Sequence, residues 1–395
     1  MTAYLSADFQ TAHPLSGRAI VWLRDHALPL WQSDAGWDAV HGGCVESLDL
    51  TGAPNLEANK RVRVQARQLY VFAHAALLGA EGAADHTVKI ADFLHQKARD
   101  HGRGGWVHLL SPDGIVVDAR RDMYDQAFVL HGLAWALRAT QDDRLKQFIL
   151  PTLTFVDEEL RHPAYGGFVE SDLRELPRRQ NPHMHWLEAL LALFETTGDD
   201  QLIAQADAII ELFRTRFFDE KTKTLGEYFA EDWHVADGAA GQVVEPGHHF
   251  EWVWLLHKYS RLGGKHKMKA HAQALYDFAC SHALTGEAGF AVDELDRSGS
   301  VMRGTRRLWP QTEAIKAHIT ASRWWGADTG EYIARVTEGL FDTYFNVDPT
   351  GGWQDQFDET GAPLAKSMPA SSFYHLMLGF AESLDFWEKS AETPA

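Results

Sequence analysis

The sequence predicts an all-α fold, an (α/α)6 toroid (barrel) of six helix pairs with short hairpin-like turns. Two observations predict it. A glycine-turn signature occurs six times at a nearly constant interval, and apolar residues follow helical spacing in twelve stretches. A fixed interval of this length is typical of repeat architectures. Two helices for each glycine turn make six units, and we expect six such units to close into a ring.

The glycine signature places turn residues before aromatic or β-branched residues, as in segments 42–45 (GGCV) and 104–107 (GGWV). A tight turn needs residues with positive φ, which glycine adopts without steric cost. The signature therefore predicts one hairpin-like turn in each unit. Its last glycines are separated by 62, 62, 59, 63 and 63 residues and are Gly43, Gly105, Gly167, Gly226, Gly289 and Gly352.

The helices are predicted from apolar residues at positions i, i+3, i+4 and i+7. Proline at 182 and 246 marks two helix starts, and glycine at 198 and 263 marks two helix ends. Helices after each glycine turn should lie inside the ring and helices before it outside. The first stretch, 14–31, and the last, 368–387, should become neighbours when the ring closes. The twelve stretches begin near residues 14, 60, 84, 122, 143, 182, 200, 247, 266, 307, 329 and 368.

The composition predicts a single domain over residues 1–395, because no linker or low-complexity run interrupts the chain. A net charge of −18 argues against nucleic acid and anionic membranes as partners. No apolar run reaches the roughly 18 residues of a membrane span, and residues 1–12 lack a secretory signal. Two cysteines, Cys44 and Cys280, are too few for a disulfide framework. These features favour a cytoplasmic protein. They do not distinguish a monomer from a homo-oligomer.

The chemically distinctive residues occur near the N-terminal ends of the predicted inner helices. Because these helices point the same way, their side chains should converge at one mouth of the ring. His248 and Glu251 share a helical stripe, so we expect Glu251 to hydrogen-bond His248 and set its tautomer. The residues concerned are Arg63, Arg67, Tyr124, Asp125, Asn181, His183, His185, Glu188, His248, His249, Glu251, Trp252, Trp309, Gln311, Glu313, Ser371, Tyr374 and His375.

Four segments resemble the N-acylglucosamine 2-epimerase superfamily: 60–68 (KRVRVQARQ), 181–189 (NPHMHWLEA), 245–252 (EPGHHFEW) and 307–314 (RLWPQTEA). Segment 368–375 (MPASSFYH) is most similar to the aldose–ketose isomerase branch, which contains mannose and sulfoquinovose isomerases. It departs from the corresponding segment of cellobiose 2-epimerases.

The resemblance implies metal-independent proton transfer next to a sugar carbonyl, without a cofactor, and a monosaccharide substrate. It implies that His248 and His375 are the acid/base pair and that His185 acts in ring opening. Sugar-binding or orienting roles fall to Arg67, Tyr124, Asn181, Trp309, Glu251 and Glu313. The chemistry suits these residues, since a base near neutrality must remove the C2 proton while donors stabilise the enediolate. The expected reaction is the interconversion of D-mannose and D-fructose.

Several alternatives remain open. A sugar 2-epimerase acting on mannose or glucose, or on an N-acylglucosamine, shares the enediolate. A sulfoquinovose isomerase would need a basic pocket, for which Arg303, Arg306 and Arg307 are candidates. A glycoside hydrolase could use Asp125 and Glu313 as paired carboxylates. A protein that only binds partners is a further possibility.

The remaining candidates receive supporting roles. Arg63 should be a salt-bridge partner, and His249 should point away from the stripe of His248. Trp252 and Trp309 offer flat faces to a sugar. The pair His183 and His185 lacks a third ligand at usable spacing, so no metal site is expected. Residues 218–242, which lack helical periodicity, are predicted to form a lid.

Overall fold

The computed structural model, which describes residues 1–391, contains two concentric rings of helices. Each inner helix packs on the next, and the last packs on the first, which closes the ring as predicted. The inner helices are α3 (Val62–Leu77), α5 (Met123–Thr140), α7 (Asn181–Thr197), α9 (Pro246–Arg261), α11 (Trp309–Trp325) and α13 (Phe373–Ala391). The outer helices are α1 (Pro14–Val21) continued by α2 (Leu28–Gln32), α4 (Ala83–Phe93), α6 (Lys146–Phe155), α8 (Asp200–Leu212), α10 (Lys269–His282) and α12 (Gly330–Gly339).

The (α/α)6 toroid is therefore confirmed, including the prediction that helices after each glycine turn lie inside. Helix α1 packs against α13, so the first and last stretches are neighbours. Inner helices are buried on nearly every face, as expected for a ring of core helices. Five wider, π-helical turns join α1 to α2 or end α4, α6, α8 and α12: Trp22–Ala27, Leu94–Ala98, Val156–Leu160, Phe213–Phe217 and Leu340–Tyr344.

Local sequence explains where the inner helices begin and end. Pro182, Pro246 and Pro310 occupy the first turns of α7, α9 and α11, where a missing backbone N–H costs nothing. Gly198 and Gly326 end α7 and α11 in the left-handed conformation. Within residues 1–391 no helix is long and apolar enough to cross a membrane.

Short strands lie in the loops at one end of the ring. Along residues 1–391 they are β1 (Ser47–Asp49), β2 (Lys60–Arg61), β3 (Leu109–Leu110), β4 (Val116–Asp118), β5 (Arg178–Arg179), β6 (Phe218–Asp219), β7 (Thr224–Leu225), β8 (Tyr228–Phe229), β9 (Leu284–Thr285), β10 (Phe290–Ala291), β11 (Glu294–Leu295), β12 (Val301–Arg303), β13 (Arg306–Arg307), β14 (Gln356–Phe357) and β15 (Ser367–Pro369). Strands β2, β3 and β4 form one sheet, and the others pair in twos.

These strands join each unit to the next at the N-terminal ends of the inner helices. The antiparallel pairs β2–β3, β5–β8, β13–β14 and β15–β1 each connect the segment entering an inner helix to the loop of the neighbouring unit. Single bridges between Asp122 and Ser171 and between Val244 and Leu295 make the same connection in the other two units. The result is a closed belt of backbone pairs around one mouth.

A second repeated bond ties each glycine turn to its inner helix. The backbone N–H groups of Cys44, Trp106 and Ala291 donate to the side-chain oxygens of Gln65, Gln126 and Gln311 at 2.7, 2.9 and 2.7 Å. In two further units a histidine replaces the glutamine. Phe168 N–H donates to His183 Nε2 at 2.8 Å, and Leu225 N–H donates to His249 Nε2 at 3.0 Å.

The equivalence of these backbone positions corrects the sequence-based alignment of the fourth unit. Leu225, not the residue after Gly226, takes the place of Cys44, and Gly226 does not have positive φ. Lys223, with φ of 60°, supplies the left-handed residue of that turn instead. In the sixth unit Gly351 rather than Gly352 has positive φ.

Candidate active site

A cavity of about 260 Å³ opens inside the belt, where the inner helices begin. It is smaller than the roughly 300–1,000 Å³ of sites for drug-sized ligands, and so suits a single sugar ring. Eight of the nine predicted site residues line it, and the ninth, Glu313, lies behind His375. The lining residues are Arg67, Tyr124, Asn181, His185, Glu245, His248, Glu251, Arg307, Trp309, Asp355, Ser371, Ser372 and His375.

His248 is held by two neighbours in this cavity. Its Nδ1 lies 3.0 Å from Glu227 Oε2, and its Nε2 lies 3.2 Å from Asn181 Nδ2. Burial alone would lower the pKa of His248, but the carboxylates of Glu227 and Glu245 outweigh it and raise the pKa to about 9. His248 is therefore protonated at neutral pH and suited to donate a proton.

The predicted hydrogen bond between Glu251 and His248 is wrong. Glu227, from the loop before α9, occupies that position, and neither oxygen of Glu251 has a hydrogen-bond partner among the described residues. Burial, reinforced by the charge of Glu313, raises the pKa of Glu251 well above its ordinary value. The protonated form of Glu251 is thus favoured at the cavity wall, and in that form it can offer its O–H to a sugar.

His375 has the opposite character. Its Nδ1 lies 2.7 Å from Glu313 Oε1, and both residues are buried. Burial, together with the charges of Arg67 and Lys316, lowers the pKa of His375 well below its ordinary value. A neutral His375 that donates from Nδ1 to Glu313 keeps an unprotonated Nε2 for the cavity. It is therefore suited to accept a proton.

Trp309 separates the two histidines. Its ring centroid lies 5.2 Å from that of His248 and 5.2 Å from that of His375, with interplanar angles of 38° and 35°. Gly247 makes this packing possible, because a Cβ there would lie 2.4 Å from the indole. The two histidines therefore flank one aromatic surface that can support a sugar ring.

Trp252 does not share this role, contrary to expectation. It is fully buried, donates from Nε1 to Gln180 Oε1 at 2.8 Å, and packs on Phe213 with ring centroids 4.5 Å apart. It does not line the cavity.

His185 belongs to a third buried group. Its Nδ1 lies 3.1 Å from Glu188 Oε2 and 3.9 Å from Glu251 Oε1. Tyr374 O–H donates to Glu188 at 2.6 Å. Burial lowers the pKa of His185 to about 4, against the opposing effect of Glu188. His185 is therefore a neutral imidazole whose orientation Glu188 sets.

Arg67 and Tyr124 form a polar edge of the cavity. Arg67 donates to the Tyr124 hydroxyl at 2.7 Å and to the Ser371 carbonyl at 3.2 Å. Its guanidinium also lies over the rings of Phe128 and Tyr374, at 4.2 and 5.3 Å from their centroids. These contacts hold a permanent positive charge beside the place where an enediolate would form.

Around Arg307, at one side of the cavity, carboxylates outnumber positive charges. Arg307 pairs with Glu245 at 2.9 Å and with Asp293 at 3.1 Å. Burial raises the pKa of Asp355 to about 6, against the hydrogen bond from Ser372, so Asp355 still ionises near neutrality.

The three arginines considered for a sulfoquinovose isomerase do not form a basic pocket. Arg303 is exposed and pairs with Glu294, and Arg306 donates to the Asp358 carbonyl. Of these three arginines only Arg307 reaches the cavity, and two carboxylates offset its charge.

The carboxylate pair considered for a hydrolase does not reach the cavity either. Asp125 is fully buried between Arg63 at 3.0 Å and His108 at 2.6 Å, so Arg63 is the salt-bridge partner that the sequence predicted. Glu313 is engaged by His375 and Lys316. The arrangement leaves no free pair of carboxylates at those positions for glycosidic chemistry.

His183 does not join His185 in a metal site, because it bonds to the glycine turn. Three groups of the described residues do bring potential ligand atoms together, namely His185 with Glu188 and Glu251, Glu227 with Glu245 and His248, and Glu251 with Glu313 and His375. In the last group the Lys316 ammonium lies 2.6 Å from Glu313 Oε2. A fixed ammonium thus already balances the charge there.

Four charged residues in or next to the cavity were not predicted from the sequence: Glu227, Glu245, Asp355 and Lys316. The repeat contains a signal for two of them, Glu227 and Asp355, because they occupy the same position in their units. The backbone carbonyls of Glu46, His108, Glu170, Glu227 and Asp355 each accept an N–H from the segment entering a neighbouring inner helix. Four of these titratable residues follow the last glycine of their signature by three positions, and the shifted Gly226 conceals the fifth, Glu227.

Part of segment 218–242, the predicted lid, is built into this site. Glu227 holds His248, and Phe229 and Trp233 are buried. Residues 234–240 are largely exposed, so a lid function, which stays a prediction, is confined to them.

Known proteins resemble this chain in sequence and fold. The family model for N-acylglucosamine 2-epimerase (GlcNAc 2-epimerase) matches residues 42–379. A relative from Rhizobium meliloti (strain 1021), named mannose-6-phosphate isomerase, is 34% identical over 389 residues, covering 94% of this chain and 97% of the relative. A D-mannose isomerase from Thermobifida fusca is 29% identical over 337 residues, covering 80% of this chain and 82% of the relative.

A solved cellobiose 2-epimerase from Spirochaeta thermophila DSM 6192 has a TM-score of 0.83 and 24% identity, covering 95% of this chain and 97% of that one. At that identity the match concerns the fold alone. The extent of the family match and of the 34% identical relative confirms the resemblance first drawn from short segments. The chain belongs to the N-acylglucosamine 2-epimerase family, and it is an enzyme of the isomerase and epimerase class that acts on sugars.

Proposed function

We propose that the enzyme interconverts D-mannose and D-fructose by histidine acid/base catalysis, without a metal ion. The observation that carries the proposal is the pair of histidines on either side of Trp309, one protonated and one neutral at the same pH. Groups whose environments drive their pKa values apart are the natural acid and base of a proton-transfer reaction.

The reaction begins with open-chain mannose over Trp309. His375 Nε2 removes the proton from C2, which gives an enediolate, and His248 donates a proton to its oxygen on C1, which gives an enediol. His248 then takes the proton from the hydroxyl on C2, and protonated His375 returns a proton to C1. The aldehyde has become a CH₂OH group and C2 a ketone, with both histidines restored.

The other lining residues serve this sequence. Neutral His185 accepts the proton of the C1 hydroxyl and returns it to the ring oxygen as the C1–O5 bond breaks, which agrees with its place beside Glu188. Arg67 stabilises negative charge on the enediolate oxygens, and Glu251 donates a hydrogen bond to the sugar. None of these steps requires a metal ion, and Lys316 already supplies a buried positive charge.

Isomerisation is favoured over 2-epimerisation by two observations. Segment 368–375, which carries His375, is most similar to the isomerase branch. Two relatives that cover most of the chain are named as isomerases of mannose or its phosphate. In addition, a base that removes the C2 proton and returns it to C1 can do so from one face of the enediol, as His375 would.

Mannose 6-phosphate is the second candidate substrate, because the relative from Rhizobium meliloti bears that name. The carboxylates around Arg307 disfavour it. Arg307 is already paired with Glu245 and Asp293, and Asp355 adds further negative charge. A phosphate dianion beside Arg307 would meet carboxylates, so we assign the unsubstituted sugar.

One experiment tests these assignments together. Enzyme freed of metal by exhaustive chelation is given D-mannose or mannose 6-phosphate, and the products are identified by chromatography. We expect full activity on D-mannose, fructose as the product, and a higher kcat/KM for the unsubstituted sugar. Activity that returns only with a divalent ion, glucose as the product, or preference for the phosphate would each overturn the corresponding part.

A further inference from the structure

Lys316 lies beneath the catalytic histidines with no exposure to solvent. It stands one turn after Glu313 on α11, and its Nζ is 2.6 Å from Glu313 Oε2. Its ammonium also lies 4.6 Å from the ring centroid of Trp254. A charge held this deeply persists only where neighbouring groups compensate it, and Glu313 does so directly.

The contacts of Glu313 connect Lys316 to His375. One carboxylate oxygen of Glu313 faces the ammonium and the other faces Nδ1 of the imidazole. Burial raises the pKa of Glu313, whereas Lys316 acts to lower it. The lysine therefore favours the ionised carboxylate, which can only accept a hydrogen bond.

The charge on Glu313 decides which nitrogen of His375 is free. An ionised Glu313 accepts from Nδ1–H and leaves Nε2 as the base. A protonated Glu313 can donate its O–H to Nδ1, and the imidazole proton must then sit on Nε2. In that tautomer the nitrogen toward the cavity is blocked.

We propose that Lys316 is a positioning residue that keeps His375 in its active tautomer by holding Glu313 ionised. The inference deepens the proposed function, since it takes His375 as the base of that reaction. Lys316 does not touch the sugar, because it does not line the cavity.

Several charged groups surround these residues and must be considered with them. Lys316 is influenced by Glu251 from α9 and Glu188 from α7 as well as by Glu313. Arg67 from α3 and His185 from α7 also act on His375. Burial favours the protonated form of Glu251, and Glu188 is bonded to His185 and Tyr374. Glu313, which contacts Lys316 at 2.6 Å, is therefore the carboxylate that chiefly balances it.

The test compares the wild type with Lys316→Met and Lys316→Arg. The tautomer of His375 is measured by long-range ¹H–¹⁵N NMR of histidine-labelled enzyme, with His375→Gln to assign the signal. Kinetics with D-mannose supply kcat, KM and the pH profile. The NMR measurement needs no turnover, so it distinguishes failure of this inference from failure of the proposed function.

We expect Lys316→Met to move the His375 proton from Nδ1 toward Nε2. Its kcat should fall by about 10²-fold with little change in KM. This loss of kcat is smaller than the roughly 10⁴-fold that a wholly wrong tautomer can cost. Lys316→Arg should restore the tautomer and part of kcat, because it keeps the charge. An unchanged tautomer in Lys316→Met, whatever its activity, would overturn the proposal.

Two further variants separate an effect on the His375 tautomer from a general loss of folding. Lys60 forms an equally buried pair with Asp38 at 2.7 Å but lies outside the cavity, so Lys60→Met is the matched control and should leave the His375 tautomer unchanged. If Lys316→Met does not fold, the double variant Glu313→Gln with Lys316→Met removes both buried charges together. It should fold, lose the preference for the Nδ1–H form, because a neutral amide can accept from or donate to Nδ1, and fall well below the wild-type kcat. Wild-type kcat in the double variant would contradict the inference.

Discussion

Glu227 Oε2 lies 3.0 Å from Nδ1 of His248, although the two residues are 21 positions apart and belong to different elements. The contact orients the imidazole through Nδ1 and favours its protonated form. It also links the proposed acid, His248, to the loop between α8 and α9. Much of the chemistry proposed for this cavity depends on such contacts from loops to inner helices.

The first prediction concerns the alkaline limb of the pH profile. Glu227→Gln removes the carboxylate that most favours protonated His248, whose pKa is raised to about 9. The alkaline fall of kcat/KM should therefore move to lower pH by more than one unit. Glu251→Gln should move this limb much less, because Glu251 raises the pKa of His248 less than Glu227 and Glu245 do. An equal shift in both variants would contradict the assignment of Glu227.

The same contact predicts a pH-dependent contribution to stability. A histidine whose folded pKa exceeds its ordinary value of 6.5 stabilises the fold fully below that value and loses the effect as pH rises through about 9. Glu227→Gln should thus lower the free energy of unfolding by up to about 3 kcal/mol at pH 6. The difference from wild type should shrink at pH 10. Urea titrations at both pH values measure it, and a constant difference would refute the linkage.

His249 should behave as a structural residue despite lying next to His248. Its Nε2 accepts the Leu225 N–H, the role that glutamine fills in three other units. His249→Gln should therefore keep the fold and most activity. His249→Ala should cost about 1–3 kcal/mol, the usual cost of an unsatisfied buried donor. Thermal unfolding and kcat of both variants test this, and a large loss of kcat in stable His249→Gln would assign a catalytic role instead.

We expect Gly247 to be required for the position of the Trp309 ring, and not for an unusual backbone conformation. Gly247→Ala places a Cβ 2.4 Å from the indole, so the ring must move away from its position between the histidines. We expect a loss of kcat of at least about tenfold, because small misplacements of positioning groups are costly. Gly330→Ala, on the outer helix α12 where a Cβ meets nothing within 4 Å, is the matched control and should be neutral. Equal activity of the two variants would remove Trp309 from the mechanism.

The ring and its order of helices could be predicted because their signals are local. Glycine turns and apolar spacing are read within a few residues, and they recur in every unit. The gathering of His185, His248 and His375 at one mouth followed from the same repeat.

The partners of these histidines could not be predicted in the same way. Helical spacing placed Glu251 beside His248, but side chains from loops compete for the same imidazole, and Glu227 occupies the position. The shorter fourth unit shifts Gly226 relative to the turn, which hid the equivalence of Glu227 with Glu46 and Glu170. Lys316 resembles any lysine three residues after a glutamate until its burial is known.

The central claim, proton transfer between His375 and an enediolate, is tested most directly by isomerisation of D-mannose in D₂O. A histidine that carries the proton exchanges it with solvent, so we expect deuterium at C1 of the fructose formed. His375→Ala should lower kcat by roughly 10²- to 10⁴-fold, the usual contribution of a general acid or base. Complete retention of the substrate hydrogen would show a hydride shift, and it would contradict the mechanism.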